Sequence, residues 1–277
     1  MGTLDREANL QSPGEQILTH SLLNTERLSK SFGGIQAARD FDLTVEDGDL
    51  VGLIGPNGAG KTTIFNLITG FQSPTSGKVR LGAKTITGKS PAAIARLGIG
   101  RTFQHTRLLK EQTVLENIMV GFHLRSKASF WGIIFHTRKF RESEWEILEM
   151  SRDLLKLFNL EDRAAWPVGA LSYGDQRFIE IVRALALKPR LLLLDEPTAG
   201  MNSAEQAKLV ELILDIKRRY GVAILLIEHH MDVVMNICEK IVVLNFGAKL
   251  AEGTPDDIRK DPRVIEAYLG ADEDASH

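Results

Sequence analysis

A chain of 277 residues with 43% hydrophobic and 25% charged content has enough apolar matter for one large α/β domain, or for a core domain with a smaller lobe. A formal net charge of −2 excludes a globally basic nucleic-acid surface, and the single cysteine, Cys238, excludes an internal disulfide and fits a buried thiol in a reducing cytoplasm. No apolar run is long enough to cross a bilayer and no basic-then-apolar signal opens the sequence, so work at a membrane would need a partner to hold the chain there.

In chain order, residues 1–20 are polar, with Ser12-Pro13-Gly14 in their middle, and read as a mobile leader. The alternations Leu23/Thr25/Arg27 and Phe41/Leu43/Val45 predict two strands around the Gly33-Gly34 turn. Leu50, Val51, Leu53 and Ile54 form a short strand that runs into Gly55-Pro56-Asn57-Gly58-Ala59-Gly60-Lys61-Thr62-Thr63, and Ile64 to Ile68 continue as a helix with Gly70 as its C-cap. Ser73 to Gly77 reads as a turn, Lys78 to Leu81 as a strand, and Ser90-Pro91 as the start of a short helix over Ala92 to Leu97.

From Thr102 to about Lys188 helical spacing takes over, at Val114/Leu115/Ile118/Met119, at Trp145/Leu148/Leu155 and at Ile179/Val182/Leu185. This predicts a helical lobe inserted into an α/β core. Leu191 to Leu194 and Val222 to Ile227 are continuous apolar runs separated by an amphipathic stretch, the signature of parallel strands buried on both faces. A helix near Met231 to Cys238, a strand at Ile241 to Leu244 and a turn at Asn245-Phe246-Gly247 follow. After Pro255 a helix carries Ile265, Tyr268 and Leu269 on one side, and residues 271–277 form an acidic end.

The loop after the first buried strand fits G-x-x-x-x-G-K-S/T at every fixed position and stands between a strand and a helix, as a P-loop requires. Its glycines let backbone N–H groups face a phosphate, Lys61 would reach the β- and γ-phosphates, and the Thr62 hydroxyl would ligate Mg²⁺. Leu191 to Leu194 followed by Asp195 and Glu196 is a Walker B pattern: Asp195 would hold the metal and Glu196 would deprotonate an attacking water. His229 ends the next buried strand, where it could bond the γ-phosphate, with His230 the weaker alternative. Ser172 and Gly174, in LSYGDQ, open a helix as a cap, as an anion site or as both, and periodicity does not decide.

Together Phe32, the P-loop, Gln104, LSYGDQ, Asp195-Glu196 and His229 resemble, in order and spacing, the nucleotide-binding domain of ABC transporters. The helix-opening signature of that family is usually LSGGQ, so Tyr173 and Asp175 depart from it while Ser172 and Gly174 remain. The resemblance implies an α/β fold: a P-loop NTPase core with a mainly parallel sheet, an N-terminal antiparallel β subdomain and an inserted helical lobe. It implies that Phe32 stacks on adenine and that Gln104 senses metal and water. It implies too that Glu196 is the general base, that His229 is the switch histidine, and that Ser172 and Gly174 close on ATP held by a second ATPase subunit. Asn202 stands where the family often has an acid.

A narrower match covers most of the chain after the leader. RTFQHTRLLKEQTVLEN, DEPTAGMN, LLIEHHMDVVM and AEGTPDDIRKDPRVIEAYLG are similar to the ATPases of branched-chain amino acid importers, of the type with an insertion in the helical lobe, here near 125–144. That resemblance implies a peripheral subunit on the cytoplasmic face of the inner membrane, driven by ATP and Mg²⁺. Its partners would be a second ATPase subunit, integral-membrane permease subunits and, indirectly, a solute-binding protein, with no nucleic acid. Alternative readings are a soluble ABC ATPase acting on nucleic acid or ribosomes, a non-hydrolysing regulator, or an importer ATPase for another solute such as urea. Inside the insertion, Phe130 to Phe135 is apolar with a basic rim, which suits burial in the lobe or contact with a membrane subunit or lipid.

Overall fold

Leu191–Asp195 and Ala223–Ile227 are buried at every residue, which a strand achieves only when both faces of its sheet are covered. The computed structural model describes residues 21–104, 106–123 and 138–274. The leader at 1–20 and the insertion up to residue 137, with its apolar run, lie outside the described residues.

The first part of the chain forms β1 (Ser21–Phe32), β2 (Ile35–Glu46), β3 (Leu50–Ile54), α1 (Lys61–Ile68), β4 (Ser76–Leu81), β5 (Lys84–Thr85), α2 (Pro91–Arg96) and β6 (Ile99–Arg101). The lobe that follows carries α3 (Val114–His123), α4 (Arg138–Leu157) and α5 (Tyr173–Leu185). Then come β7 (Leu191–Asp195), α6 (Ser203–Tyr220), β8 (Ala223–Ile227), α7 (Met231–Ile237), β9 (Lys240–Asn245), β10 (Ala248–Gly253), α8 (Pro255–Lys260) and α9 (Pro262–Asp274).

A six-stranded sheet has the order β10-β9-β3-β8-β7-β6, parallel throughout except where β10 folds back on β9. A four-stranded antiparallel sheet has the order β2-β1-β4-β5. Alternate residues of the parallel strands point to opposite faces. Leu50, Ile54, Leu192, Leu194, Ile224 and Leu226 therefore join the core shared with the helical lobe. Val51, Leu53, Leu191, Leu193, Leu225 and Ile227 join a second core with β1, β2 and α1. At roughly 1.5–3 kcal/mol for each buried aliphatic side chain, these two layers supply most of the driving force.

Some details differ from the expectations. Both β6 and β10 escaped the pattern reading: β6 has three residues, one of them Gly100, and β10 is an edge strand without clean alternation. The cap of α1 is Thr69, with Gly70 just beyond it at φ 74°, and β4 begins two residues early, at Ser76. In α4 the inward stripe is Ile147, Leu154 and Leu155, with buried Phe158 just past its end, and Trp145 is exposed. In α9 Val264 is buried and Ile265 is turned out, because a break at Asp261 divides the expected tail helix in two. Helix α9 reaches Asp274, into the acidic end.

Gly52 sits inside β3 because α7 leaves no room: an added Cβ would lie 3.0 Å from Val234 Cγ1 and 3.1 Å from Cys238 Sγ. That packing buries Cys238 and pushes its thiol up to about 12, with Glu239 and Glu228 adding to the effect of burial. The thiolate is the reactive form, so the native chain should resist a thiol reagent at mildly alkaline pH and release its one thiol in denaturant. Fast labelling of the native chain would show that α7 does not pack on β3 as described.

Candidate functional site

The parallel register brings three strand ends to one edge of the sheet. Leu53 pairs with Ile227 and Asp195 pairs with Ile227, so the P-loop, Glu196 and His229 all leave the sheet side by side. The P-loop folds under tight backbone contacts. Gly55 has φ 151°, and a Cβ there would lie 2.1 Å from the Leu244 carbonyl oxygen; Gly60 has φ 103°, and a Cβ would lie 2.3 Å from that of Ala37. Only glycine fits at either position. Gly247 N–H bonds the Ala59 carbonyl at 2.9 Å and ties the β9–β10 turn to the loop.

Gly60 is also the N-cap of α1, and no side chain caps that end. The first N–H groups of the helix therefore stay open above the loop, where Asn57 and Gly58 are exposed and Thr63 is half-buried. Lys61 is buried, and its ammonium donates to the carbonyls of Gly55 at 2.7 Å and Pro56 at 2.9 Å. Burial pushes its pKa down, opposed by the carboxylates of Glu196 and Asp195.

Glu196 stands in the left-handed region at φ 48°, a conformation that costs a non-glycine residue about 1–3 kcal/mol. Its N–H bonds the Ile227 carbonyl at 2.9 Å. Both carboxylate oxygens are held from opposite sides: Gln104 Nε2 donates to Oε2 at 2.9 Å, and His229 Nε2 lies 2.7 Å from Oε1. Gln104, Glu196 and His229, read separately from the sequence, thus form one contact group.

Asp195 is buried beside them. Its Oδ2 accepts from Arg101 Nη2 at 3.0 Å, while Oδ1 has no hydrogen-bond partner. Burial pushes its carboxyl up, and the Arg101 guanidinium pulls it back down. Thr62, Gln104 and Asp195 line one cleft of about 330 Å³ together with Arg101. Among the described residues no group of three or more His, Cys, Asp or Glu side chains could cage a metal. An orphaned carboxylate oxygen, a hydroxyl and a side-chain amide on one open cleft suit a hard cation that completes its shell with water and phosphate oxygens, as Mg²⁺ does.

Phe32 ends β1 at the hairpin turn; it is 45% exposed, with Lys30 Nζ 5.0 Å from its ring centre, so it is free of the sheet's core. Ser172 caps α5: its hydroxyl oxygen accepts from Asp175 N–H at 3.2 Å and the hydroxyl donates to Asp175 Oδ2 at 3.0 Å. Gly174 faces Glu205, whose carboxylate oxygen would lie 2.9 Å from an added Cβ. Ser172 and Gly174 line a different cleft, shared with Arg163, Met201 and Glu205. One chain therefore does not join them to its own P-loop cleft.

Three residues beyond those read from the sequence hold this edge together. Arg101 grips Asp195, buried Glu228 accepts from the Thr198 N–H at 2.8 Å and hydroxyl at 2.7 Å, and buried Arg177 donates to the carbonyls of Phe103 and Gln104. Hydropathy reads such charges as solvated, and only their nearness in sequence to Gln104, His229 and Ser172 could have flagged them. His230 turns away from Glu196, with Nδ1 3.0 Å from the Thr198 hydroxyl.

Known proteins share this sequence and this fold. The ABC transporter family model matches residues 38–199, and that of the branched-chain amino acid ATP-binding cassette transporter matches residues 248–274. The high-affinity branched-chain amino acid transport ATP-binding protein BraF of Pseudomonas aeruginosa is 46% identical, over 91% of this chain and 99% of that one. The LivG protein of the same description from Escherichia coli is 43% identical over the same shares. A nucleotide-free ATP-binding cassette from an ABC transporter superposes with TM-score 0.79 at 35% identity, covering 90% of this chain and 98% of that one. A dimeric ATP-binding cassette in a post-hydrolysis state, bound to ADP and Pi, superposes with TM-score 0.70 at 25% identity, over 84% and 98%. With most of its length aligned to such relatives, the chain belongs to the ABC transporter family, as one of its ATP-hydrolysing subunits.

Proposed function

We propose that the chain powers an importer for branched-chain amino acids, hydrolysing Mg²⁺·ATP in a pair with a second ABC ATPase chain. The pair docks on membrane-spanning permease subunits at the cytoplasmic face of the inner membrane, and a solute-binding protein delivers the solute to the permeases. The grip of Gln104 and His229 on the two oxygens of Glu196, beside the P-loop, carries the hydrolytic reading. The match at residues 248–274 and the names of BraF and LivG support the solute. No helix among the described residues is long and apolar enough to cross a membrane, so on this reading the permeases supply the spanning segments.

The residues act as follows. Phe32 offers an exposed ring to adenine, and the N–H groups of Gly55, Asn57, Gly58, Gly60 and Thr63 donate to the phosphate oxygens, joined by the Ala59 N–H once it leaves the Pro56 carbonyl. Lys61 exchanges the carbonyls of Gly55 and Pro56 for phosphate oxygens, a favourable trade for a desolvated ammonium. Thr62, Asp195 and Gln104 would hold Mg²⁺, and the chemistry the ion would supply there is neutralisation of phosphate charge. Glu196, held on both oxygens, takes a proton from water as the water oxygen bonds the γ-phosphorus and the bond to the ADP oxygen breaks. His229 then has the γ-phosphate within reach. Because Ser172 and Gly174 lie on a separate cleft, the serine-capped helix meets an ATP only when a second chain presents its P-loop, so closure of the pair gates hydrolysis.

Glu196→Gln keeps the shape of the contact group but removes the proton acceptor. ATP affinity should hold while kcat falls by about 10²–10⁴-fold; wild-type turnover in this variant would take Glu196 out of its role. Lys61→Ala removes a charge-assisted bond to phosphate and should weaken binding of a fluorescent ATP analogue by at least about tenfold. Affinity equal to wild type would contradict the P-loop reading.

Purification of the tagged chain from membranes should bring down integral-membrane subunits, and vesicles carrying the complex should take up leucine in an ATP-dependent way. Uptake of urea in place of leucine would reassign the solute. Recovery with ribosomes or nucleic acid in place of membrane subunits would replace the importer reading.

A further inference from the structure

The face of α5 behind the signature holds a run of charges that the mechanism above does not use. Arg177 and Glu180 are buried, with side chains 1% and 2% exposed, and pair at 3.1 Å. Arg177 also donates to the carbonyls of Phe103 and Gln104, and its Nε donates to the Tyr173 hydroxyl at 3.1 Å. One turn on, Glu180 Oε1 accepts from Arg107 N–H at 3.2 Å, and Arg183 donates to the Arg107 carbonyl at 2.8 Å. Every one of these bonds to Phe103, Gln104 and Arg107 goes to backbone. The helix that begins at Ser172 therefore grips the Gln104 segment by its main chain, while the Gln104 amide grips Glu196.

Burying an arginine and a glutamate is expensive, and an apolar pair of similar volume often serves stability as well or better. An ion pair kept in such a place has a purpose beyond stability where it fixes geometry. Here it fixes two bonded ends of one residue: the carbonyl of Gln104 travels with α5, and its side chain sets one oxygen of Glu196.

We propose that Arg177 is a positioning residue that locks the serine-capped end of α5 to the Gln104–Glu196 pair, so that docking of Ser172 on the opposing chain's ATP sets the hydrolytic carboxylate of its own chain. The inference rests on the functional reading above and adds a link between the two ATP sites of the pair. A shift of α5 by a fraction of an ångström is passed to Gln104, because four of the bonds involve charged groups in a buried or part-buried setting. Arg177 lines neither of the two clefts, and its effect on rate passes through Gln104.

The test compares full-length wild type with Arg177→Met and with the double variant Arg177→Met, Glu180→Met, measuring melting temperature, affinity for a fluorescent ATP analogue, and kcat. The double variant removes the buried ion pair without leaving either charge alone, but it unpairs the Phe103 and Gln104 carbonyls and the Arg107 N–H, so it should melt lower than wild type while binding nucleotide as wild type does. Its kcat should nevertheless fall by at least about tenfold, the scale of one lost charge-assisted bond. Arg177→Lys keeps a cation for Glu180 but cannot span both carbonyls, and should melt near wild type and remain slow.

A double variant that turns over like wild type at a temperature where it is folded, whatever its melting temperature, would reduce Arg177 to a structural role and overturn the inference. Loss of nucleotide affinity in step with kcat would do the same, since it would place the damage in the P-loop. If Arg177→Met alone does not fold, the double variant and Arg177→Lys decide the matter. Absence of ATPase activity in the wild-type chain with its partners would strike the functional reading itself, whereas an active wild type with an equally active double variant strikes only the role of Arg177.

Discussion

Parallel pairing of β3, β8 and β7 is the constraint from which the cleft follows. Ile227 is in register with both Leu53 and Asp195, and its carbonyl takes the N–H of Glu196. A slip of one residue in any of these strands would exchange the side chains of the two cores. Leu192 and Leu194 would leave the lobe side, Leu191 and Leu193 would leave the β1–β2 side, and Glu196 would lose its place opposite His229. The aliphatic packing that stabilises the domain is thus the same packing that sets the distance between the phosphate loop and the carboxylate. No separate device is needed to align them.

Against that stable frame the edge of the sheet tolerates groups that cost stability. Glu196 has a left-handed backbone, Asp195 has a buried oxygen with no partner, and Arg101 has a buried Nε with none. Each is worth on the order of 1–3 kcal/mol of destabilisation. Arg101 recovers part of this by lying over the rings of Phe65, Phe71 and Phe103 and by donating to Asn66 of α1 and to its cap residue Thr69. A left-handed carboxylate residue beside an unpartnered buried carboxylate oxygen, at one end of a well-packed sheet, is what marks this edge as a working one.

The sequence made legible whatever depends on local pattern. Continuous apolar runs marked β7 and β8, G-x-x-x-x-G-K-T marked the loop and helix start, and Ser90-Pro91 and Ser172 marked helix caps that the side chains do form. Strand ends at one edge follow from parallel strands, so the nearness of Lys61, Asp195, Glu196 and His229 could be reasoned without coordinates. Elements whose form is set by distant partners could not. β6 is a strand because Ile99 to Arg101 lie along Leu191 to Leu193, and Gly100 gives it no strand propensity of its own. Trp145 suggests an apolar stripe by hydropathy, yet α4 turns Ile147 and Leu154 inward and leaves the indole exposed. Arg177 and Glu228 read as solvated charges until folding surrounds them with carbonyls, amide N–H groups and a hydroxyl.

The two departures from the usual signature have local reasons in this chain. Asp175 closes a ring with the Ser172 hydroxyl and N-cap and is held from outside by Arg163 at 2.5 Å, so the serine is fixed before any phosphate arrives. Tyr173 lies near Gly200, where an added Cβ would come within 3.5 Å of its ring, and its hydroxyl oxygen accepts from Arg177 Nε. Asn202 forms a capping box with Glu205 at the start of α6, and Glu205 is the residue facing Gly174. Tyr173, Asp175 and Asn202 thus each stiffen the surface around Ser172 from within the chain. A surface stiffened in this way loses little freedom when it meets a partner, which favours a sandwich that closes on ATP as two preformed halves.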